Sequence, residues 1–219
     1  MPIADLASTA SLVGALRATS PLELVAVAFG LVSVYLSARE HIVSWPTAIV
    51  NVAIFFFLFW KAKLYADAVL QLFYLTLSAY GWYEWMYGGD RRTRLQVSRA
   101  TRMNWAIVTP LFLVGGVGLG AVLARYTDSP MPYFDALLTS ASLVAQWMMT
   151  RKLLENWIIW ILADIVYVPV FVIRGLPFTA LQYAIFLVLA GVGYVGWQRS
   201  LRAHAAAHAA AHAAGGATT

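Results

Sequence analysis

Seven apolar stretches divide the chain, at about 22–38, 42–60, 64–87, 104–125, 132–150, 154–173 and 177–198. Each is near the roughly 20 residues that a helix needs to cross the hydrocarbon core of a bilayer. None alternates polar and apolar positions as a membrane strand does, so backbone groups in lipid must be satisfied inside helices. The pattern predicts an all-α integral membrane protein of seven transmembrane helices. Residues 1–21 contain Asp5 and Arg17 and lack both a basic start and a long apolar run. They read as a surface-lying segment, not a cleavable signal. Beyond Arg202 the chain is low in complexity, with His204, His208 and His212 recurring every fourth residue in alanine. A helix would align these histidines as a row able to meet a divalent metal. They have no further ligand, so the expectation is a solvated, partly helical tail and no metal.

Composition agrees with a lipid environment. Apolar and aromatic residues make up 61% of the chain and charged residues 11%, against roughly 25% charged in a soluble domain. The mean hydropathy is +0.71. Without cysteine, disulfides and thiolate metal sites are excluded. The pI near 9.6 does not imply a nucleic-acid partner, because the Lys and Arg residues flank apolar segments instead of forming a stripe. Near the span ends, one side holds five of them: Arg17, Lys61, Lys63, Arg125 and Arg174. The other side holds ten, five of which lie in the 90–102 loop. The positive-inside rule puts the ten in the cytoplasm, the N-terminus outside and the C-terminus inside.

Displacing the chain by 112 residues aligns Trp45 with Trp157, Gly81 with Gly193, Trp85 with Trp197 and Arg39 with Arg151. The alignment divides the chain into an N-terminal segment (1–21), a three-helix repeat (22–88), a basic loop with a linker helix (89–131), a second repeat (132–198) and a tail (199–219). Three spans invert the chain, and one extra helix restores its direction, which predicts parallel repeats in a 3+1+3 order. In the linker helix, Gly116 and Gly120 permit a close helix contact, within the protein or between protomers.

At 100° per residue, Trp157, Trp160, Asp164, Tyr167 and Phe171 fall within an arc of about 80° on span six. Span three aligns Asp67, Gln71, Tyr74, Ser78 and Trp85, and span five aligns Asp135, Thr139, Ser142, Gln146 and Met149. Faces that mix polar with aromatic groups belong against a cavity, since an unpaired polar group is costly in hydrocarbon. Alternatives stay open for single residues. Trp45, Trp82, Trp85 and Trp197 fit an interfacial belt, Gln71 and Gln146 fit interhelical hydrogen bonding, and Asp67 fits a helix start. Asp164, about ten residues from either end of its span, is the strongest candidate for function. Together the groups suit a flat, cationic, hydroxyl-bearing heteroaromatic ligand.

Ser44-Trp45-Pro46 through Asn51, Leu64-Tyr65-Ala66-Asp67-Ala68 with Gln71, Tyr74 and Gly81-Trp82, and Glu155-Asn156-Trp157-Ile158-Ile159-Trp160 with Asp164 resemble the PnuC-type vitamin transporters over about 22–198. The resemblance implies a bacterial inner-membrane importer with a full-length SWEET-like fold, assembled as a homotrimer in lipid. It would carry a small vitamin, nicotinamide riboside first, by facilitated diffusion, with a cytoplasmic vitamin kinase trapping the cargo and no cofactor. By position it implies Trp157 and Trp160 as an aromatic pair and Gln71 as a polar site residue. With Asp164, Tyr74, Asn51, Gln146 and Tyr167 from the motifs and polar faces above, they make up the expected substrate-binding set. Leu153 stands where the riboside carriers have an asparagine, which keeps thiamine as the alternative ahead of riboflavin. The substrate-binding subunit of an energy-coupling importer fits less well, because it usually has six spans and no tandem repeat. No HExxH pair or catalytic Ser/His set lies in a span, so enzyme activity is not expected.

The charge count generates one test. A cysteine in place of Ser98 should resist an impermeant thiol reagent in intact spheroplasts and react once the membrane is permeabilised. Ready labelling before permeabilisation would reverse the orientation.

Overall fold

The computed structural model describes Gly14 and residues 19–216, with the backbone alone from 208 onward. The expectation for residues 1–21 therefore falls almost wholly outside the described residues, as do the side chains of His208 and His212. Seven long α-helices follow one another among the described residues: α1 Pro21–Ala38, α2 Ser44–Lys61, α3 Tyr65–Tyr87, α4 Arg102–Tyr126, α5 Pro132–Thr150, α6 Asn156–Ile173 and α7 Pro177–Gly216. Six match the apolar stretches to within two residues at each end. The seventh was expected to stop at 198 but continues to Gly216. Its tail is mostly alanine, the strongest helix former, so nothing ends the helix where the apolar run ends.

Local signals account for several starts. Ser20 caps α1 by accepting from the Glu23 N–H at 3.2 Å, with Pro21 in the first turn. Thr101 and Asn104 cap α4 reciprocally. Pro132 and Pro177 open α5 and α7, where a missing N–H costs nothing.

Five helices, α1, α2, α4, α6 and α7, are long and apolar enough to cross a membrane. The two that fall short, α3 and α5, are those carrying Asp67, Gln71 and Glu84, and Asp135, Ser142 and Gln146. These two helices pack against each other. Otherwise α1 packs on α2, α2 on α3, α5 on α6 and α6 on α7, and α1 meets α7. The linker helix α4 packs extensively only on α5. A Cβ on Gly116 or Gly120 would strike Leu137 or Tyr133 of α5, so this glycine pair serves a contact within the protein.

Several pairs of positions 112 residues apart share local geometry. Glu40 and Lys152, 112 residues apart, both take left-handed backbone as the chain leaves α1 and α5. Lys63 and Gly175 do the same after α2 and α6. A Cβ on Gly81 would penetrate the Trp45 indole, and one on Gly193 the Trp157 indole. The Trp85 Nε1–H donates to the Met149 carbonyl and the Trp197 Nε1–H to the Ser37 carbonyl, each at 3.0 Å. Both bonds cross between the repeats. Trp45 meets Trp85 edge-on at 5.2 Å, Trp157 meets Trp197 edge-on at 5.4 Å, and Trp85 and Trp197 lie 5.9 Å apart. Trp45, Trp85 and Trp197 are thus core residues, each no more than 2% exposed. The membrane-belt alternative, also open for Trp157 and Trp160 near the start of α6, is closed for the buried Trp157 and survives for Trp82, which is 37% exposed.

Glu40 and Lys152 face each other across the same junction at 3.1 Å, with the Lys152 ammonium 4.5 Å from the Trp85 ring centre. Burial pushes this ammonium below the usual lysine range, and the Glu40 carboxylate pulls it back. The basic loop is pinned over this end of the bundle. The Ser98 N–H donates to the Lys152 carbonyl, the Leu154 N–H to the Ser98 carbonyl, and the Ala100 N–H to the Glu155 carboxylate.

The close approach at Gly193 gives a test with an internal control. Gly193→Ala should destabilise the detergent-purified protein by about 1–3 kcal/mol, the usual cost of overpacking. Gly191→Ala, where an added Cβ meets nothing within 4 Å, should leave the melting temperature unchanged or slightly raised. Equal melting temperatures for the two variants would show that the indole is not tightly seated.

Candidate functional site

A cavity of about 600 Å³ runs down the middle of the bundle. All eight residues expected at the site line it: Asn51 from α2, Gln71 and Tyr74 from α3, Gln146 from α5, and Trp157, Trp160, Asp164 and Tyr167 from α6. The helical period explains the last four, since positions 157, 160, 164 and 167 share one face. Trp45 and Trp157 close one end of the cavity, against the tryptophan cluster and the Lys152–Glu40 pair. The other end reaches Glu23 and the exposed Asp67 in the first turns of α1 and α3. Asp135, expected on the polar face of α5, does not line the cavity. It accepts from the Ser129 hydroxyl at 2.7 Å and pairs with Arg174 at 3.4 Å, tying the 127–131 turn to the end of α6.

The polar groups in the wall are only partly satisfied by the protein. Asn51 donates to the Ala26 carbonyl at 2.7 Å, which holds α1 against α2. The hydroxyls of Tyr74 and Tyr167 converge on Ser142, and the Tyr167, Phe171 and Tyr183 rings lie within 5.7 Å of one another, centre to centre. Among the described residues, Gln71, Gln146 and Gln182 find no hydrogen-bond partner in the protein. The buried Ser78 hydroxyl and the Trp45 and Trp157 indole N–H groups likewise lack partners. Asp164 is 3% exposed and has neither a hydrogen bond nor an ion pair among the described residues.

Charge in the cavity has one sign. Glu23, Asp67 and Asp164 line it, and among the described residues no Lys, Arg or His does. A carboxylate held in a low-dielectric wall without a partner is costly until a cation neutralises it.

The eight expected residues were only part of the wall. Ser33 on α1, Phe55 and Phe59 on α2, and Thr179, Gln182 and Tyr183 on α7 also line it. The helical period alone does not single them out, because they sit in largely apolar helices. The repeat would have found four of the six, Phe55, Phe59, Thr179 and Tyr183. Displaced by 112, Phe55 falls on Tyr167, Phe59 on Phe171, Asp67 on Thr179 and Gln71 on Tyr183, and all eight line the cavity. The same register sets Ala48 against Trp160 and Val52 against Asp164. The two halves therefore contribute wall positions in pairs, but α6 carries the ring and the charge where α2 carries small apolar groups.

Leu153, the departure that kept thiamine open, is buried beside Val108, Val144 and Met148 and does not reach the cavity. It packs beneath α4 with Val108.

Comparison with known proteins agrees with this geometry. Residues 20–199 match the family described as the nicotinamide mononucleotide transporter. The chain is 26% identical over 211 residues to the nicotinamide riboside transporter PnuC of Escherichia coli, covering 83% of this chain and 86% of that one. It is 27% identical over 179 residues to the riboflavin/roseoflavin transporter RibM of Streptomyces davaonensis, covering 80% and 83%. Its fold is similar to the crystal structure of the vitamin B3 transporter PnuC, with a TM-score of 0.68, 21% identity and coverage of 93% and 91%.

The wall separates its two tryptophans on α6. Trp157 is 1% exposed and wedged between Gly193 and Trp197, so Trp157→Ala should destabilise by about 3–5 kcal/mol through the cavity left behind. Trp160 is only half-buried, and Trp160→Ala should keep a near-normal melting temperature. Thermal denaturation of both variants in detergent reads the difference. Equal losses would put Trp160 in the core as well.

Proposed function

The chain belongs to the nicotinamide mononucleotide transporter family, and from that premise we propose that it carries nicotinamide riboside across a membrane. The family description names a mononucleotide, and the relative from Escherichia coli is named for the riboside. The cavity favours the riboside, because three carboxylates and no cation line it. A phosphate would enter against that charge with no Arg or Lys to meet it.

One observation carries the reading: Asp164, a buried and unpartnered carboxylate in an aromatic-walled cavity. In this reading the pyridinium ring lies against Trp160 with its positive charge toward Asp164, gaining cation–π and Coulomb attraction together. Gln71, Gln146, Asn51 and Tyr74 supply donors and acceptors for the ribose hydroxyls. Tyr167 bounds the ring, and Trp157 forms the floor. The unequal pairs Ala48/Trp160 and Val52/Asp164 hold the cation on the α6 side, so the cargo binds in one direction. A riboflavin carrier remains the second reading, because the RibM relative is equally similar. Its uncharged ring would leave Asp164 without a counter-charge.

The remaining organisation follows the same logic. The in-register pairs support two parallel three-helix repeats joined by α4, a 3+1+3 SWEET-like order in which α3 and α5 also span and shield their polar faces at the centre. The chain would sit in the bacterial inner membrane, N-terminus outside, as a homotrimer. The Asp67 end then faces the periplasm and takes in the cation, and the tryptophan cluster closes the cytoplasmic side. No row of ionisable groups leads away from Asp164, which supports facilitated diffusion with a cytoplasmic kinase trapping the cargo.

Calorimetric titration with nicotinamide riboside, its 5′-phosphate, thiamine and riboflavin tests the assignment. The riboside should bind at least about tenfold more tightly than the phosphate, and Asp164→Asn should weaken it by a similar factor without lowering the melting temperature. Tight riboflavin binding that Asp164→Asn leaves unchanged would move the assignment to the second reading. In liposomes lacking a kinase, uptake should stop at equal concentrations and ignore an uncoupler. Accumulation driven by an imposed proton or sodium gradient would contradict facilitated diffusion.

A further inference from the structure

A second cleft, of about 430 Å³, lies outside the central cavity, with α5 as its floor and α4 and α6 as its walls. Its origin is the packing of the linker helix. The glycines at 115, 116 and 120 draw the second half of α4 onto α5. The first half has no glycine, and on α4 the cleft is lined only from Trp105 to Phe112. Because α4 packs extensively only on α5, nothing closes the gap toward α6.

The lining is hydrocarbon apart from the Thr109 hydroxyl and the Trp105 indole N–H. Two isolated polar groups give water too few partners to stay. The outer wall is open to the surroundings, with Leu162 59% and Leu137 37% exposed. At membrane depth that opening faces lipid, and the volume is of the order of one acyl chain. At the mouth, Arg102 is one turn before Trp105 on the same side of α4, and Arg99 lies just upstream. Both arginines are exposed and neither forms an ion pair among the described residues. An apolar slot with an interfacial tryptophan and two free guanidinium groups at one end matches a lipid with an anionic headgroup.

We propose that the α4–α5–α6 cleft binds one acyl chain of an anionic phospholipid, with Arg99 and Arg102 holding its phosphate. The site rests on the membrane reading alone and is independent of the vitamin carried. By filling the gap beside α4, the lipid would brace the linker helix against the second repeat.

Native mass spectrometry of the full chain, released from detergent with phosphatidylglycerol or phosphatidylcholine of identical acyl chains, tests this. Phosphatidylglycerol should be retained about tenfold more than phosphatidylcholine. The double variant Arg99→Gln/Arg102→Gln should erase the preference, and Leu162→Trp, which fills the open wall from an exposed position, should lower retention of both lipids. Melting temperatures near that of the unaltered protein would confirm that each variant is folded. Equal retention of the two lipids by the unaltered protein, or retention that Leu162→Trp does not change, would overturn the proposal. If Leu162→Trp instead dissociates an oligomer and leaves lipid retention intact, the cleft is a contact between copies of this chain and the proposal falls.

Discussion

Two indole N–H groups reach from the third helix of each repeat to the last turn of the first helix of the other, Trp85 to Met149 and Trp197 to Ser37. In a bilayer no general hydrophobic force draws apolar helices together, because lipid is as apolar as they are. Directional contacts must fix the relative position of the halves, and these two do so reciprocally. They bind carbonyls at helix ends, where the chain turns left-handed at Glu40 and Lys152 and the ordinary helical donor is lost. Around them, edge-on tryptophan contacts and the Lys152 ammonium over Trp85 fill the junction.

The cavity follows from that junction. Trp45 and Trp157 are held by the glycines behind them and form its closed end, so its floor is as rigid as the join between the repeats. Passage of a cargo beyond this floor requires the same aromatic groups to move apart. The Lys152–Glu40 pair lies at the point the two halves share, and a pair that breaks there must leave two charges poorly solvated unless water enters with the cargo.

Symmetry supplies the scaffold, and its violation supplies the chemistry. Wall positions recur at 112, but Asp164 and Trp160 face Val52 and Ala48. A symmetric wall would bind a cation equally in two directions. In the proposed reading the unequal one gives it a single partner, Asp164, a buried carboxylate without a protein partner among the described residues.

The amino-acid sequence determined the helices, because long apolar runs satisfy their own backbone groups most simply as helices, and six ended within two residues of expectation. It also determined the repeat and the polar face of α6, since both are periodic and local. All eight expected site residues do line the cavity. Tertiary structure alone decided which aromatic groups are walls and which are core. Trp45, Trp85 and Trp197 lie near helix ends, where a belt and a buried junction look alike, and only the contact between repeats separates them. It also decided that Leu153 packs away from the cavity, and that α1, α2 and α7 complete the wall through Ser33, Phe55 and Gln182. Those residues carry no local signal, because facing a cavity depends on where another helix lies, and helices distant in sequence meet only once the halves are joined.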